Sequence, residues 1–317
     1  MAIEGIAAAS RAKFADPDVT AKGEQRAKVA FTGLKTLWVN TGTLCNITCA
    51  HCYIESSPSN DRLRYFTPAD FAPFLDEVDA LSGRPIEIGF TGGEPFMNPH
   101  MGTLAEMALT RGHSVLILTN AMRPMLRPKP AEALRALREN HGARLSLRVS
   151  LDHYNAARHD EERGAGCFDE AVEGIDWLAA HGFSVSLAGR SMWGERETDA
   201  RLGYAQLIAE RGWSIDAHDP AQLVIFPEMD ETAEVPEITD ACWGLLKVAP
   251  SAMMCASARM IARRSGAAAP AVIACTLLPY DPQFELGARL ADSLAPVTLN
   301  HQHCAKFCVL GGGSCSA

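Results

Sequence analysis

No run of apolar residues in the 317-residue sequence is long enough to cross a bilayer as a helix. There is no basic run either: 29 Lys and Arg stand against 38 Asp and Glu, a formal net charge of −9. Nucleic acid and anionic membranes recruit proteins through a positive field, so neither is expected as a partner. The first residues, Met1 to Arg11, lack a basic start followed by a long apolar core, so no export signal is read there. Without export, ten cysteines point to metal or redox chemistry rather than a disulfide scaffold, and a cytoplasmic location is expected. What remains is an ordinary globular composition, 47% apolar and 21% charged.

Residues 1–34 are polar, rich in alanine and without strong periodicity, and are expected to form a loosely attached lead-in. From Lys35 to about residue 228, apolar strands alternate with amphipathic helices, the pattern of a parallel α/β sheet. Strands are expected at 37–40, 86–90, 114–118, 144–151, 183–187 and 222–226, which makes six β/α units. The first helix begins at Thr67-Pro68-Ala69-Asp70, a Thr cap with proline in the first turn and an acid three residues on. Its apolar residues Phe71, Phe74, Leu75 and Val78 share one face. Periodicity alone does not separate a barrel from an open doubly wound sheet. After Phe226 the repeat stops and cysteines become dense, so residues 229–317 are expected to form a small cysteine-rich C-terminal domain.

Three cysteines, Cys45, Cys49 and Cys52, follow the first strand at the spacing C-x3-C-x2-C, with Tyr53 next. Three thiolates on one loop can hold three irons of a four-iron cluster and leave the fourth iron open to a small chelating molecule. A structural zinc site is the other reading of close cysteines, although such sites usually bring a second pair of ligands, and His51 lies inside the loop. The motif resembles the signature of the radical S-adenosylmethionine (radical SAM) superfamily. That resemblance implies a partial (β/α)6 barrel and a [4Fe–4S] cluster whose open iron binds the methionine moiety of S-adenosylmethionine. Electron transfer to the sulfonium then gives a 5′-deoxyadenosyl radical, chemistry that belongs to the cofactor.

In a parallel α/β sheet, ligands sit at the carboxyl ends of the strands, and the remaining polar motifs fall there. Thr91-Gly92-Gly93-Glu94-Pro95 follows the second strand. It is either a Gly-rich turn or, as the resemblance implies, the loop that holds the amino group of S-adenosylmethionine through Gly92, Gly93, Glu94 and Pro95. Thr119-Asn120 ends the third strand, and Asn120 resembles a ribose contact. Val149-Ser150-Leu151-Asp152 ends the fourth and leads into Arg158-His159-Asp160-Glu161-Glu162-Arg163-Gly164. This run resembles VSLDG…HD..RG of the subgroup with an additional SPASM or twitch domain, with His153 where glycine is more usual. Ser150 and Asp152 share a strand face and are candidate contacts for ribose or carboxylate, although Asp152 equally suits a cap or turn. Arg190, past the fifth strand, is either a carboxylate partner or a solvated loop residue.

The tail holds Cys242, Cys255, Cys275, Cys304, Cys308 and Cys315. Cys255…Gly266…Cys275 and the closing Cys304-x3-Cys308 resemble parts of a SPASM or twitch domain. One auxiliary [4Fe–4S] cluster on Cys255, Cys275, Cys304 and Cys308 is expected, with Cys242 or Cys315 as substitutes, His301 or His303 as a more remote choice, and a zinc knuckle as the rival.

The expected activity is hydrogen abstraction from a peptide or small-molecule substrate at the barrel mouth, with a flavodoxin or ferredoxin as one-electron donor. Relatives that act on peptides often bind a leader through an N-terminal winged-helix module, for which the 34-residue lead-in is too short; this weakens the peptide option without excluding it. The alternative is a non-catalytic zinc- or Fe–S-stabilised binding protein.

Overall fold

The computed structural model describes residues 12–228 and 234–313. In chain order the elements are β1 (Lys28–Val29), β2 (Thr36–Asn40), α1 (Pro68–Ser82), β3 (Glu87–Thr91), α2 (Met101–Thr110), β4 (Ser114–Thr119), α3 (Arg123–Leu126), α4 (Pro128–His141), β5 (Leu145–Ser150), α5 (Ala156–Arg163), α6 (Cys167–Ala180), β6 (Ser184–Arg190), α7 (Glu197–Arg211) and β7 (Leu223–Phe226). The tail adds α8 (Asp240–Leu246), β8 (Ala258–Ala262), β9 (Ala271–Ile273), β10 (Glu285–Gly287), β11 (Val297–Thr298) and a π-helical segment Cys304–Leu310.

Strands β2 to β7 lie side by side in sequence order, each parallel to the next. A doubly wound sheet reverses its strand order at a switch point, and no reversal occurs among β2 to β7. The six units run one way round, as in a partial barrel. α1 starts as the sequence dictates: the Asp70 N–H donates to Thr67 Oγ1 and the Thr67 N–H to Asp70 Oδ2, a reciprocal cap.

Alternate strand residues separate two cores. Leu37 and Val39, Ile88 and Phe90, Val115 and Ile117, and Leu145, Leu147 and Val149 pack under the helices. Trp38 and Leu116 point the other way, into a second core shared with the tail. On that inner face Trp38 lies over Gly89, where an added Cβ would stand 2.4 Å from the indole.

The tail is built onto the sheet rather than set apart from it. β8 pairs in parallel with β2, and β9 and β10 follow antiparallel, so that among the described residues one nine-stranded sheet runs β10-β9-β8-β2-β3-β4-β5-β6-β7. β8 thereby satisfies the backbone groups that β2 would otherwise expose as an edge strand.

The lead-in, expected to be loose, is held firmly from residue 12 onward. β1 pairs with β11, Ala27 and Val29 are fully buried, and Arg26 reaches Glu237 in a buried ion pair at 2.6 Å. A polar stretch without periodicity gives no sign of this, because its partners lie some 200 positions away in the tail. Among the described residues, no helix is long and apolar enough to cross a membrane.

Candidate functional site

The cysteine loop leaves β2 and lies across the carboxyl ends of the parallel strands. Its entry is pinned by the Cys45 N–H on Ser57 O (3.0 Å), and its far side by the Ala50 N–H on Glu162 O (2.8 Å). Cys45, Cys49, Cys52 and Tyr53 line one cavity together with Gly92, Gly93, Asn120, Ser150, Asp152, Arg163 and Arg190. Six sequence-derived candidates from four strand ends, Gly92, Gly93, Asn120, Ser150, Asp152 and Arg190, thus meet the thiols in one place. Glu94, Pro95 and the four tail cysteines do not line this cavity.

Cys45 and Cys49 are costly to ionise as they stand. Burial pushes Cys45 up to about 12, an effect opposed by the Ile47 N–H and reinforced by Glu94, Cys49 and Cys52. Burial likewise pushes Cys49 up to about 11, against the pull of Arg163. Thiolates that raise one another's pKa in a buried loop need a cationic centre, which suits this donor set to a metal cluster.

The two glycines do work the sequence did not disclose. A Cβ on Gly92 would stand 2.5 Å from Gly42 O and one on Gly93 2.3 Å from Leu44 O. The loop is pressed onto the chain that feeds Cys45, with the Gly93 N–H on Gly42 O (2.8 Å) and the Glu94 N–H on Leu44 O (3.1 Å). Those N–H groups are consumed within the protein.

Glu94 also turns inward. Its carboxylate accepts from Thr119 Oγ1 (2.8 Å), the Asn120 N–H (2.8 Å) and the Phe96 N–H (3.1 Å). Burial raises its pKa to about 7 in spite of these donors. It ties the loops after β3 and β4 together, and Asn120 Nδ2 carries the link on to Asn46 Oδ1 at 2.9 Å.

Asp152 is held in a two-pronged ion pair with Arg163, Nε to Oδ2 at 2.7 Å and Nη2 to Oδ1 at 2.9 Å. Burial would raise the pKa of this carboxyl, but the guanidinium beside it outweighs burial and holds it below its usual value. Arg163 and Glu162, residues of α5 to which the sequence assigned no role, prove central. Glu162 takes the His51 N–H (2.9 Å) and His51 Nδ1 (2.7 Å) on the cysteine loop and Arg190 Nη1 (2.6 Å) from β6. Arg190 is therefore a carboxylate partner of the protein itself. The only available signal was position, in the polar run just past β5. His153 is buried and supports the turn into α5, accepting the Asn155 N–H at 2.8 Å and meeting Glu195 at 3.3 Å.

In the tail, the Cys304 thiol is raised by burial and further by Cys275 and Cys255, and all three cysteines belong to or pack against one core. Cys308 lies one turn further along the same π-helical segment and packs against the same core. Cys242 is engaged elsewhere, as part of the cap of α8 with Thr239. Cys315 lies outside the described residues.

Comparison with known proteins bears on the family and the fold. Residues 39–207 match the radical SAM superfamily. The chain is 30% identical over 154 residues to the antilisterial bacteriocin subtilosin biosynthesis protein AlbA of Bacillus subtilis, covering 47% of this chain and 32% of that protein. It is 32% identical over 140 residues to the mycofactocin maturase MftC of Mycobacterium ulcerans, covering 44% and 35%. The match spans about a third of the length of these relatives. Among solved structures, anSMEcpe with bound AdoMet superposes with a TM-score of 0.59 at 14% identity, over 86% of this chain and 82% of that one. Streptococcus suis SuiB bound to S-adenosylmethionine does so with a TM-score of 0.57 at 12% identity, over 82% and 64%. With its signature loop at the barrel mouth and more than half its length matched, the chain belongs to the radical SAM superfamily, whose members use a [4Fe–4S] cluster and S-adenosylmethionine.

Proposed function

We propose that the chain is a radical SAM enzyme of the maturase type, in which Cys45, Cys49 and Cys52 hold the [4Fe–4S] cluster and the surrounding cavity wall holds S-adenosylmethionine. The observation that carries this reading is the meeting of three thiols with the polar ends of β3 to β6 in one cavity. When bound, the cluster supplies the electron that breaks a C–S bond of S-adenosylmethionine and so the 5′-deoxyadenosyl radical.

The residues of the chain bind and orient. Gly92 and Gly93 offer carbonyl oxygens to the ammonium, since the loop's N–H groups at Gly93 and Glu94 are already donated. Arg163, fixed by Asp152, and Ser150 face the same cavity and suit the carboxylate. Asn120 serves the ribose, and Tyr53, half-exposed at the rim, shields the cofactor. Glu94, Asp152 and Arg190 position other groups rather than touching the cofactor. Pro95 begins a short turn under Glu94.

The substrate is proposed to be a peptide. The curated relatives are named for bacteriocin biosynthesis and mycofactocin maturation, and the cavity opens between the barrel and the tail residues Leu277 and Phe307. A small-molecule substrate is the second reading. A flavodoxin or ferredoxin is proposed as the electron donor. Residues 229–317 are proposed to act as a SPASM- or twitch-like unit in which Cys255, Cys275, Cys304 and Cys308 would hold a second [4Fe–4S] cluster, a group that could supply an acceptor for the electron left on the substrate.

The test is anaerobic reconstitution followed by assay. Two four-iron sites give roughly eight irons per chain. Cys49→Ala is expected to abolish 5′-deoxyadenosine formation, whereas Cys308→Ala retains it but yields no modified substrate. A colourless zinc protein that never forms 5′-deoxyadenosine overturns the proposal in favour of a binding protein.

A further inference from the structure

Strand β8 carries an arginine in an unusual position. Arg259 is 1% exposed. Its Nε donates to Ser293 O at 2.9 Å, and its Nη1 to Cys255 O at 2.6 Å and Ala258 O at 2.7 Å. The guanidinium carbon sits 4.4 Å from the centre of the Phe31 ring. Nη2 is buried without a hydrogen-bond partner, and among the described residues no Asp or Glu pairs with this side chain. A guanidinium keeps its charge at neutral pH, so this side chain is a buried cation.

Buried cations are as a rule paired with anions, since carbonyl dipoles and an aromatic face do not cancel a charge. The buried Arg26 has Glu237, and the partly buried Arg163 and Arg190 have Asp152 and Glu162. The nearest tie of Arg259 to the tail cysteines is the bond from its Nη1 to the carbonyl of Cys255, one of the proposed cluster ligands. Ligation to iron converts such thiols to thiolates and creates the anion that the arginine lacks.

We propose that Arg259 is the fixed counter-charge of the cluster held by the tail cysteines, and that it raises the reduction potential of that cluster. The inference rests on the reading of the tail as a cluster site. A cubane on four thiolates becomes more negative on reduction, so a buried cation beside one ligand favours the reduced form. Net charge and hydrogen bonds to sulfur are the main levers on such potentials. One such hydrogen bond is already in place, from the Leu277 N–H to Cys275 Sγ at 3.4 Å. Arg259 acts through the cluster and is a positioning residue, since it does not line the barrel cavity.

The experiment uses the full chain with Cys45, Cys49 and Cys52 replaced by alanine, so that iron bound after reconstitution reports on the tail alone. The one-electron couple is titrated with dithionite and mediator dyes and followed by electron paramagnetic resonance. In that background Arg259→Met is expected to retain iron but to disfavour reduction roughly tenfold, about 59 mV for one electron. Arg259→Lys keeps the charge and is expected to restore most of the potential. Should the Met variant lose iron, the Arg259→Gln and Arg259→Lys pair decides. A lower potential for Gln than for Lys supports the proposal, and equal potentials overturn it. A Met variant with iron and an unchanged potential shows that Arg259 is only a structural pin. A parent that takes up no iron retires the tail-cluster reading itself, and the inference with it.

Discussion

Replacing Asp152 by asparagine removes a charge and little else, which makes it a direct probe of how dry the cavity floor is. The carboxylate side chain is 3% exposed and that of Arg163 13%, and two charge-assisted hydrogen bonds of 2.7 and 2.9 Å join them. Breaking a buried pair by removing one partner costs roughly 3–5 kcal/mol, chiefly because the other charge is left uncompensated. With a urea m value of about 3 kcal/mol/M, that loss moves the unfolding midpoint down by roughly 1 to 1.7 M. Urea titration of the metal-free protein under anaerobic conditions measures it directly. Arg163→Met should be similarly costly, because it strands Asp152. The double variant should lose much less than the sum, because neither charge is then left alone. A midpoint shift below about 0.3 M for Asp152→Asn, or additive losses in the double variant, would mean that water screens the pair. The placement of Arg163 as a fixed cation beside the cysteine loop would then fail. The same variant should bind S-adenosylmethionine more weakly, as read by equilibrium dialysis, because Arg163 loses the partner that aims it.

Two further outcomes follow from the geometry. Gly93→Ala puts a methyl carbon 2.3 Å from Leu44 O, so the chain feeding Cys45 must move. A loss of about 1–3 kcal/mol and lower iron uptake on reconstitution are expected, and wild-type iron content would refute the close approach. Glu237 is held below its ordinary 4.5: burial pushes it up, but the N–H groups of Phe14 and Ala21 and the Arg26 guanidinium together outweigh burial. A depressed carboxyl contributes stability that is complete above the unfolded pKa and lost as the pH falls through the folded value. Thermal melts of Glu237→Gln should therefore lie below wild type at neutral pH and converge with it as the medium is acidified below 4.5; parallel curves would refute the assignment.

Much of the barrel was legible because its signals are local. The cap at Thr67, the apolar stripe Phe71, Phe74, Leu75 and Val78, and strands bounded by turn residues each depend on neighbours a few positions apart. The cysteine loop was legible for the same reason, since its ligand spacing is itself the chemistry. Chain direction around the barrel needed the parallel strand order, which the pattern of elements left open between two topologies.

What the sequence by itself determined is therefore the set of six β/α units and the identity of the reactive loop. The tertiary structure alone decided which polar groups face the cavity and which brace it. Glu94 and Asp152 carry the charge expected of ligand contacts, yet folding places Thr119, Asn120 and Arg163 within hydrogen-bond distance, and a buried carboxylate takes the nearest donors. Glu162 sits 111 positions from His51, and Arg26 lies 211 from Glu237. Pairings at such separations are set by how strands and helices stack, and no periodicity along the chain encodes them.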